Sequence, residues 1–362
     1  SNPISFLDGK LFYKHYKTVN KSDEITTIDG ADTYMNHLFD YKKDTLAAEL
    51  GFRLPASFYL TTAYKYIKTK REREDIAKNK DDLISADLRW SGLDFMVAKV
   101  GFEGLYRDAE FEGPTSPDNI ETFIRRFDAA AKNRSAYKAS VDIFPIENLN
   151  FGIGYEYKKT NYKDLTLGLH DEKSNQFSID GDYTFKQLLK LFGYFAYERI
   201  KTNQFQRQFT PADLPNPATP PTPSAFNWDV TQKDSEFDYG IGAEIYAIPQ
   251  KLSFTVQHDY VRSNGSADFT YYLGPNPLPA GRTQDNIDIS SWGDYRLQTY
   301  MVKATYDATK RFSFTIGYAY EKFKYDDAQY DGYQYVPATT GTNGAYLTGA
   351  YRDPSYSGSV VF

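Results

Sequence analysis

The segment that decides the fold is Arg311-Phe312-Ser313-Phe314-Thr315-Ile316-Gly317-Tyr318-Ala319-Tyr320-Glu321, in which apolar residues alternate with small or polar ones. Successive side chains of a β-strand face opposite sides, so the five apolar residues share one face. The residues between them share the other face. The pattern therefore predicts a strand with one wholly apolar surface.

The same alternation recurs along the whole chain, in about fourteen runs. Many of them are long enough for a tilted membrane strand, which needs about 9 to 11 residues, whereas sandwich strands average about 5 to 6. A single-chain bacterial barrel needs an even number of strands, and we expect about fourteen, within a range of about 12 to 16. The runs lie near residues 9–18, 42–54, 56–69, 81–91, 94–109, 135–145, 148–161, 173–184, 188–204, 233–247, 250–263, 294–307, 310–324 and 349–362.

The connections between these runs alternate between tight and long. Tight ones lie around Pro55, Gly92, Pro145-Ile146-Glu147, Lys186-Gln187, Pro249-Gln250 and Thr309-Lys310. Long ones cover about 19–41, 70–80, 110–134, 162–172, 205–232, 264–293 and 325–348. Short periplasmic turns and long extracellular loops give this rhythm in outer-membrane barrels. We predict an all-β, transmembrane, up-and-down antiparallel β-barrel that forms one outer-membrane domain over residues 1–362.

Composition agrees with a barrel of this kind. The chain has 32 Tyr and 26 Phe, and aromatic residues reach 17%, as expected where aromatic girdles border a membrane. No run approaches eighteen apolar residues, and the mean hydropathy is -0.61, because barrel strands alternate lipid-facing with lumen-facing residues. No signal peptide precedes Ser1, and we interpret the sequence as a mature or trimmed chain.

Composition also excludes several kinds of chemistry. The chain has no Cys, so it has no thiolate metal site, no cysteine nucleophile and no C-x-x-C-H haem attachment. Any haem would belong to a partner, and we expect no cofactor of the protein's own. The net charge is -6 and no long Lys/Arg block occurs, which argues against nucleic acid.

The alternation assigns two sets of positions. We predict that the apolar set contacts outer-membrane lipid: Leu149, Phe151, Ile153, Phe254, Val256, Phe312, Phe314, Ile316 and Phe362. A charge facing lipid costs a few kcal/mol at the midplane, so charged positions should face an enclosed polar space. This lumen-facing set is Glu49, Arg53, Lys65, Asp87, Arg89, Lys138, Asp142, Glu156, Asp180, Asp182, Asp238, Glu244, Asp259, Lys303 and Glu321. Such residues either contact an inserted partner or form a solvated lining without selectivity.

Catalytic motifs are weak, and we predict that the protein is not an enzyme. The four histidines, His15, His37, His170 and His258, are scattered without metal-ligand spacing. Asp326, Asp327 and Asp331 are weak candidates for a Ca²⁺ site, but they lack the spacing of a known calcium loop. A solvated charged loop is the favoured interpretation of these three residues.

From about Arg125 onward the sequence resembles the MtrB/PioB family, outer-membrane barrels that accompany decahaem c-type cytochromes. The resemblance rests on the order and spacing of several short motifs, which cover about two thirds of the chain. They are Arg125-Arg126-Phe127-Asp128, Pro145-Ile146-Glu147-Asn148-Leu149-Asn150-Phe151-Gly152-Ile153-Gly154-Tyr155, Leu165-Thr166-Leu167-Gly168-Leu169, Phe195-Ala196-Tyr197-Glu198, Gly317-Tyr318-Ala319-Tyr320-Glu321-Lys322-Phe323 and Tyr325-Asp326-Asp327.

The resemblance implies a sleeve through the outer membrane of a Gram-negative cell. Such a sleeve houses or docks a periplasmic multihaem c-type cytochrome and lets electrons reach an extracellular cytochrome. Two other functions stay open, a general or substrate-selective diffusion porin and a soluble β-sandwich adhesin. Fourteen strands about 4.8 Å apart and tilted near 40° would close into a backbone cylinder roughly 28 Å across, which suits small solutes or a slender insert.

Overall fold

Every regular element of the chain that the structure describes is a β-strand. The structure, a computed structural model, describes residues 6–21, 26–29, 32–35, 40–71, 78–110, 130–165, 167–207, 227–272, 286–327, 333–336, 345–348 and 355–361. Within these ranges there is no helix that is long and apolar enough to span a membrane.

Fourteen strands of one sheet and two small hairpins make up the described fold. The strands are β1 (Leu7–Thr18), β2 (Thr26–Asp29), β3 (Asp32–Met35), β4 (Tyr41–Leu54), β5 (Phe58–Arg71), β6 (Lys78–Leu93), β7 (Met96–Glu110), β8 (Lys132–Ile146), β9 (Leu149–Tyr162), β10 (Gly168–Phe185), β11 (Leu189–Arg207), β12 (Asn227–Ile248), β13 (Leu252–Tyr272), β14 (Asn286–Thr309), β15 (Phe312–Asp327), β16 (Tyr333–Val336), β17 (Ala345–Thr348) and β18 (Ser355–Val361).

The fourteen strands form one antiparallel up-and-down sheet, as the sequence predicted. Each strand pairs with the next in the order β1-β4-β5-β6-β7-β8-β9-β10-β11-β12-β13-β14-β15-β18. The pairs β2–β3 and β16–β17 form separate two-stranded sheets. Over the described residues the ladder runs from β1 to β18 without interruption, and it includes no pair between those two strands.

Each of the fourteen predicted runs contains a strand within its described residues, and several strands are longer than predicted. Residues 264–293 were predicted to be a connection, yet β13 continues to Tyr272 and β14 begins at Asn286. The β2–β3 and β16–β17 hairpins also lie inside the predicted connections 19–41 and 325–348. Outside the membrane neither face has to be apolar, so a ladder can continue where the alternating pattern stops.

The tight turns lie close to their predicted positions. Ala56 and Ser57 follow Pro55 with φ of 57° and 62°, and Lys186 and Gln250 have φ of 50° and 60°. Two turns are shifted by a few residues. Gly92 belongs to β6, and Pro145 and Ile146 belong to β8. The register changes between Ile143 and Ile146, because a proline cannot donate a ladder hydrogen bond and is accommodated at a bulge.

Cross-strand pairing joins the apolar sides of the strands into one continuous surface, here called the apolar face. Because paired residues point to the same side, a single row can be followed from β15 to β10. The row is Ile316, Ala304, Phe254, Ile245, Leu189 and Phe185. Large side chains on this face are exposed, with Ile316 and Phe314 each at 65%. A β-sandwich would bury such a face against a second sheet, so the soluble sandwich adhesin was a wrong alternative.

Candidate functional site: the polar face of the sheet

The opposite surface of the sheet, here called the polar face, contains charged residues from each of the strands β4–β15 in the fourteen-stranded sheet. All fifteen residues of the predicted lumen-facing set lie on it, as the pairing register requires. The predicted lipid contacts from Leu149 to Ile316 lie on the apolar face. Phe362 lies outside the described residues.

The fold brings some of these residues together and keeps others apart. Asp87, Lys138 and Glu156 line one depression of the polar face, and the Lys138 ammonium lies 3.5 Å from the Glu156 carboxylate. Glu244 and Lys303 line a second depression near the tight turns.

Other members of the set pair with residues that the sequence analysis had not selected. Arg53 pairs with Asp8 at 2.6 Å, and Asp142 pairs with Lys99 at 2.9 Å. The Asp182 carboxylate accepts hydrogen bonds from Asn150 at 3.2 Å. One carboxylate oxygen of Asp238 is buried and has no hydrogen-bond partner among the residues that the structure describes.

Negative charge is concentrated on the polar face of β10–β13, here called the acidic sector. Its carboxylates are Glu172, Asp180, Asp182, Glu198, Asp234, Glu236, Asp238, Glu244 and Asp259. Lys190 is the one cation of this sector within the part of the chain that the structure describes, and it lies 3.8 Å from Asp182. Several of the carboxylates accept hydrogen bonds from neutral groups, such as Ser174 to Glu198 at 2.6 Å and Tyr246 to Glu244 at 3.1 Å.

Positive charge predominates on the polar face of β4–β9, here called the basic sector. Its cations are Lys43, Arg53, Lys65, Arg71, Arg89, Lys99, Arg107, Lys132, Arg134, Lys138 and Lys158. The carboxylates among them are Glu49, Asp81, Asp87, Glu103, Asp142 and Glu156. The polar face is thus divided by sign, and each sector consists of neighbouring strands.

Several large side chains of the polar face lie flat along the sheet because they face glycines. Tyr194 on β11 extends across Gly240 on β12, and its hydroxyl donates a hydrogen bond of 3.0 Å to Asp259 on β13. A Cβ atom at Gly240 would lie 2.3 Å from the Tyr194 ring, and one at Gly242 would lie 2.4 Å from the Phe192 ring. The glycines therefore let these side chains lie against the sheet instead of projecting away from the polar face.

The long-loop end of the polar face contains a buried ionic cluster that the sequence analysis missed. Two guanidinium nitrogens of Arg107 donate hydrogen bonds of 2.7 and 2.8 Å to the Asp81 carboxylate. The exposed fractions of these side chains are 14% and 8%. Asn79, which is buried, donates a further 2.9 Å hydrogen bond to Asp81, and Arg134 pairs with Glu103 nearby. Only the register reveals this cluster, because its members lie on three strands.

Two ionisable groups beside this cluster are Lys132 and Tyr162. They lie at the ends of β8 and β9 nearest the long loops, outside the membrane-spanning part of the sheet. Burial lowers the pKa of Lys132, and the charges of Arg107 and Arg134 lower it further. Burial raises the pKa of Tyr162 to about 12, with a further contribution from the negative charge of Glu172. Both shifts reflect removal of the cluster from water.

Within the described residues no group of three or more His, Asp or Glu side chains is placed to hold a metal ion. Asp326 and Asp327 lie at the end of β15, and Asp331 lies outside the described residues, so calcium binding by these three stays a prediction. His258 stacks on Tyr300 with ring centroids 4.5 Å apart on the apolar face. His15 forms a 2.7 Å hydrogen bond with Asp44.

A fourteen-stranded up-and-down sheet with an exposed apolar face and a charged opposite face defines the class of outer-membrane β-barrel proteins. The model of one family, described as "Putative outer membrane beta-barrel porin, MtrB/PioB", matches residues 10–361. The chain belongs to this MtrB/PioB family, and it is a protein of the bacterial outer membrane.

The chain is similar to one named relative and, in fold, to solved barrels. The outer membrane protein MtrB of Shewanella baltica (strain OS185) is 21% identical over 312 residues, which are 85% of this chain and 41% of MtrB. This chain thus spans less than half the length of that relative. The structure of a double mutant of the Serratia marcescens hemophore receptor HasR, in complex with its hemophore HasA and heme, has a TM-score of 0.54 at 14% identity. The similarity covers 98% of this chain and 56% of that chain.

Proposed function

We propose that this protein is a sleeve that houses or docks a periplasmic multihaem c-type cytochrome for electron transfer across the outer membrane. The haems of the cytochrome would conduct, and the sleeve would insulate and position them without a cofactor of its own and without catalysis. An extracellular cytochrome would accept the electrons. Residues 1–362 would act as one barrel domain, with the polar face toward the insert.

The observation that supports this proposal most directly is the flat lining of the polar face. Tyr194 and Phe192 lie over Gly240 and Gly242, and Asp180 lies over Gly152 in the same way, with its carboxylate 2.6 Å from a Cβ placed there. A sleeve for a folded partner needs a wide bore with a smooth wall. A selective pore instead needs side chains that project inward and narrow it.

The charge division of the polar face gives a second argument for a protein partner. Sectors of opposite sign on neighbouring strands provide electrostatic complementarity for a partner whose surface charges are divided in the opposite sense. Charges of this kind select and orient a partner more than they add affinity. Asp180 and Asp182 in the acidic sector, with Asp87 and Arg89 in the basic sector, are therefore the proposed contacts.

Copurification of haem-containing protein from detergent-solubilised outer membranes tests the proposal. The wild-type protein should retain a cytochrome that is visible by haem staining. The double reversal Asp180→Lys/Asp182→Lys should reduce the retained haem severalfold while the heat-dependent gel mobility of the folded barrel stays the same. A control reversal at an exposed turn residue, Lys310→Glu, should leave retention unchanged. Full retention by Asp180→Lys/Asp182→Lys would contradict the proposed contacts.

A diffusion porin is the second candidate function, and the family description favours it directly. As a porin the protein would form ion-conducting channels alone and would retain no haem protein. Suppose that the purified wild-type protein conducts in planar bilayers and copurifies with no cytochrome from its own cells. That result would contradict the sleeve function and support the porin function.

A further inference from the structure

A row of aromatic residues lies along the edge of the apolar face nearest the long loops, on β9–β12. Tyr155, Phe177, Tyr197 and Phe237 are cross-strand partners in one line. The Tyr155 hydroxyl points toward the long-loop end and donates a 2.9 Å hydrogen bond to Asn175, which lies in the next row on the same side of the sheet. Tyrosines with this orientation are typical of the membrane–water boundary. The long loops are extracellular in this class, so the row marks the outer leaflet.

Four lysines form a second row on the same side of the sheet, beyond the aromatic row. Lys159, Lys173, Lys201 and Lys233 are direct cross-strand partners on β9, β10, β11 and β12. The lysine row lies four residues beyond the aromatic row along each strand, about 13 Å. From such a position, Lys side chains lay their methylene stems along the sheet and keep their ammonium groups in the polar headgroup layer.

The arrangement of these lysines is unfavourable for the protein alone. Like charges directly opposite each other destabilise a sheet, and here the same charge occupies four neighbouring strands. Lys233 pairs with Asp268 at 2.8 Å. Within the described part of the chain, Lys159, Lys173 and Lys201 form no ion pair, and Arg199, in the row between, adds another cation. Asp171, the carboxylate one row farther out, accepts hydrogen bonds of 2.9 and 3.0 Å from Asn203.

We infer that Lys159, Lys173 and Lys201 bind the phosphate groups of lipopolysaccharide in the outer leaflet. The site faces lipid, lies beside the aromatic boundary on the extracellular side, and presents a row of cations spaced by the strand separation of about 5 Å. A phosphorylated lipid headgroup supplies the negative charge that the row lacks. This site lies on the opposite side of the sheet from the proposed cytochrome contacts, and it does not depend on them.

Binding of purified lipid A to the detergent-solubilised full-length protein, measured by native mass spectrometry, tests the inference. The probe is hexa-acylated lipid A with two phosphates. The triple variant Lys159→Gln/Lys173→Gln/Lys201→Gln should weaken its binding about a hundredfold, since each basic residue near an anionic membrane surface contributes about fivefold. The single variant Lys201→Gln, whose side chain is exposed, should weaken binding about fivefold and serves if the triple variant does not fold.

A matched triple variant shows whether weaker lipid A binding results from loss of this site or only from the lower positive charge of the protein. Lys186→Gln/Lys251→Gln/Lys310→Gln removes three exposed lysines at the opposite, tight-turn end and should leave lipid A binding within twofold of wild type. Equal weakening by both triple variants would overturn the inference, as would a loss below threefold in the first. Equal binding of dephosphorylated lipid A would also overturn it. Displacement of lipid A by millimolar inorganic phosphate would reassign the row to free phosphate.

Discussion

At the scale of single residues, the flatness of the polar face depends on which large side chains are paired with glycines. Tyr194 crosses a neighbouring strand at Gly240 and ends on Asp259. Tyrosine is large and its hydroxyl must be satisfied, so this path keeps the ring packed and the hydroxyl bonded without filling the space before the sheet. Space above Gly240 is therefore a structural requirement of the wall.

Gly240→Val is expected to destabilise the barrel by about 1 to 3 kcal/mol, because the new side chain must displace the Tyr194 ring and the Asp259 carboxylate. The midpoint of urea unfolding in lipid vesicles measures the change. Gly293→Val is the matched control, since the nearest atom to a Cβ there is 3.7 Å away. Equal midpoints for the two variants would mean that Tyr194 moves aside at no cost.

Asp81→Asn is expected to cost about 2 to 4 kcal/mol, because it removes the negative charge that accepts two hydrogen bonds from the buried Arg107 guanidinium. The exposed pair Lys99–Asp142 provides the comparison, and Lys99→Met should cost less than about 1 kcal/mol. Unfolding midpoints of the two variants under the same conditions measure both changes. A midpoint for Asp81→Asn as high as that for Lys99→Met would show that water or other groups replace the lost carboxylate.

At the scale of strands, alternation was predictable wherever one face is apolar and the other small or polar. β15 and the first part of β13 have this pattern, and the alternation predicts where they lie and which residues share a face, although β13 continues to Tyr272, beyond its predicted end at residue 263. β11 does not, because Leu191, Phe192, Gly193, Tyr194 and Phe195 place large apolar groups on both faces. The polar face tolerates Phe192 and Tyr194 because glycines on β12 are their partners, and that relation exists only once the register is known.

Single-cysteine variants along β15 should report the two faces with a period of two. The chain has no native Cys, so every signal comes from the introduced residue. Phe314→Cys and Ile316→Cys, labelled with a nitroxide, should collide with membrane-dissolved oxygen, whereas Ser313→Cys and Thr315→Cys should collide with a water-soluble nickel complex. Electron paramagnetic resonance measures both collision rates in lipid vesicles. Equal access of the nickel complex to all four positions would contradict a lipid-facing apolar face.

At the scale of the whole molecule, the sign of the charge follows strand order. No single run of sequence displays this division, because each of the strands β4–β13 contributes only one to four charges to its polar face. The basic sector pairs most of its carboxylates internally, as in Arg107–Asp81 and Lys99–Asp142. The acidic sector lacks the cations to do so over the described strands. Its negative charge is therefore available to mobile ions or to a basic partner surface.

Without any insert, the purified protein in a planar bilayer should accordingly form channels that prefer cations, whether its function is that of a sleeve or of a porin. Clefts lined by one sign of charge raise the local concentration of counter-ions, and salt screens the effect over about 10 Å at 0.1 M. Reversal potentials across a KCl gradient measure the preference. The triple variant Asp180→Asn/Asp182→Asn/Asp259→Asn should reduce it, and higher salt should reduce it in the wild type.

A matched variant in the basic sector makes this prediction specific to the acidic sector. Lys65→Gln/Arg89→Gln/Lys138→Gln removes three cations from the other half of the polar face and should increase the cation preference. If both triple variants leave the reversal potential unchanged, the charged residues do not line the conducting path. The copurifying haem protein can also be added back to the conducting wild-type protein. If conduction then stops, the channel and the sleeve are the same bore, because the same wall faces either water or the inserted protein.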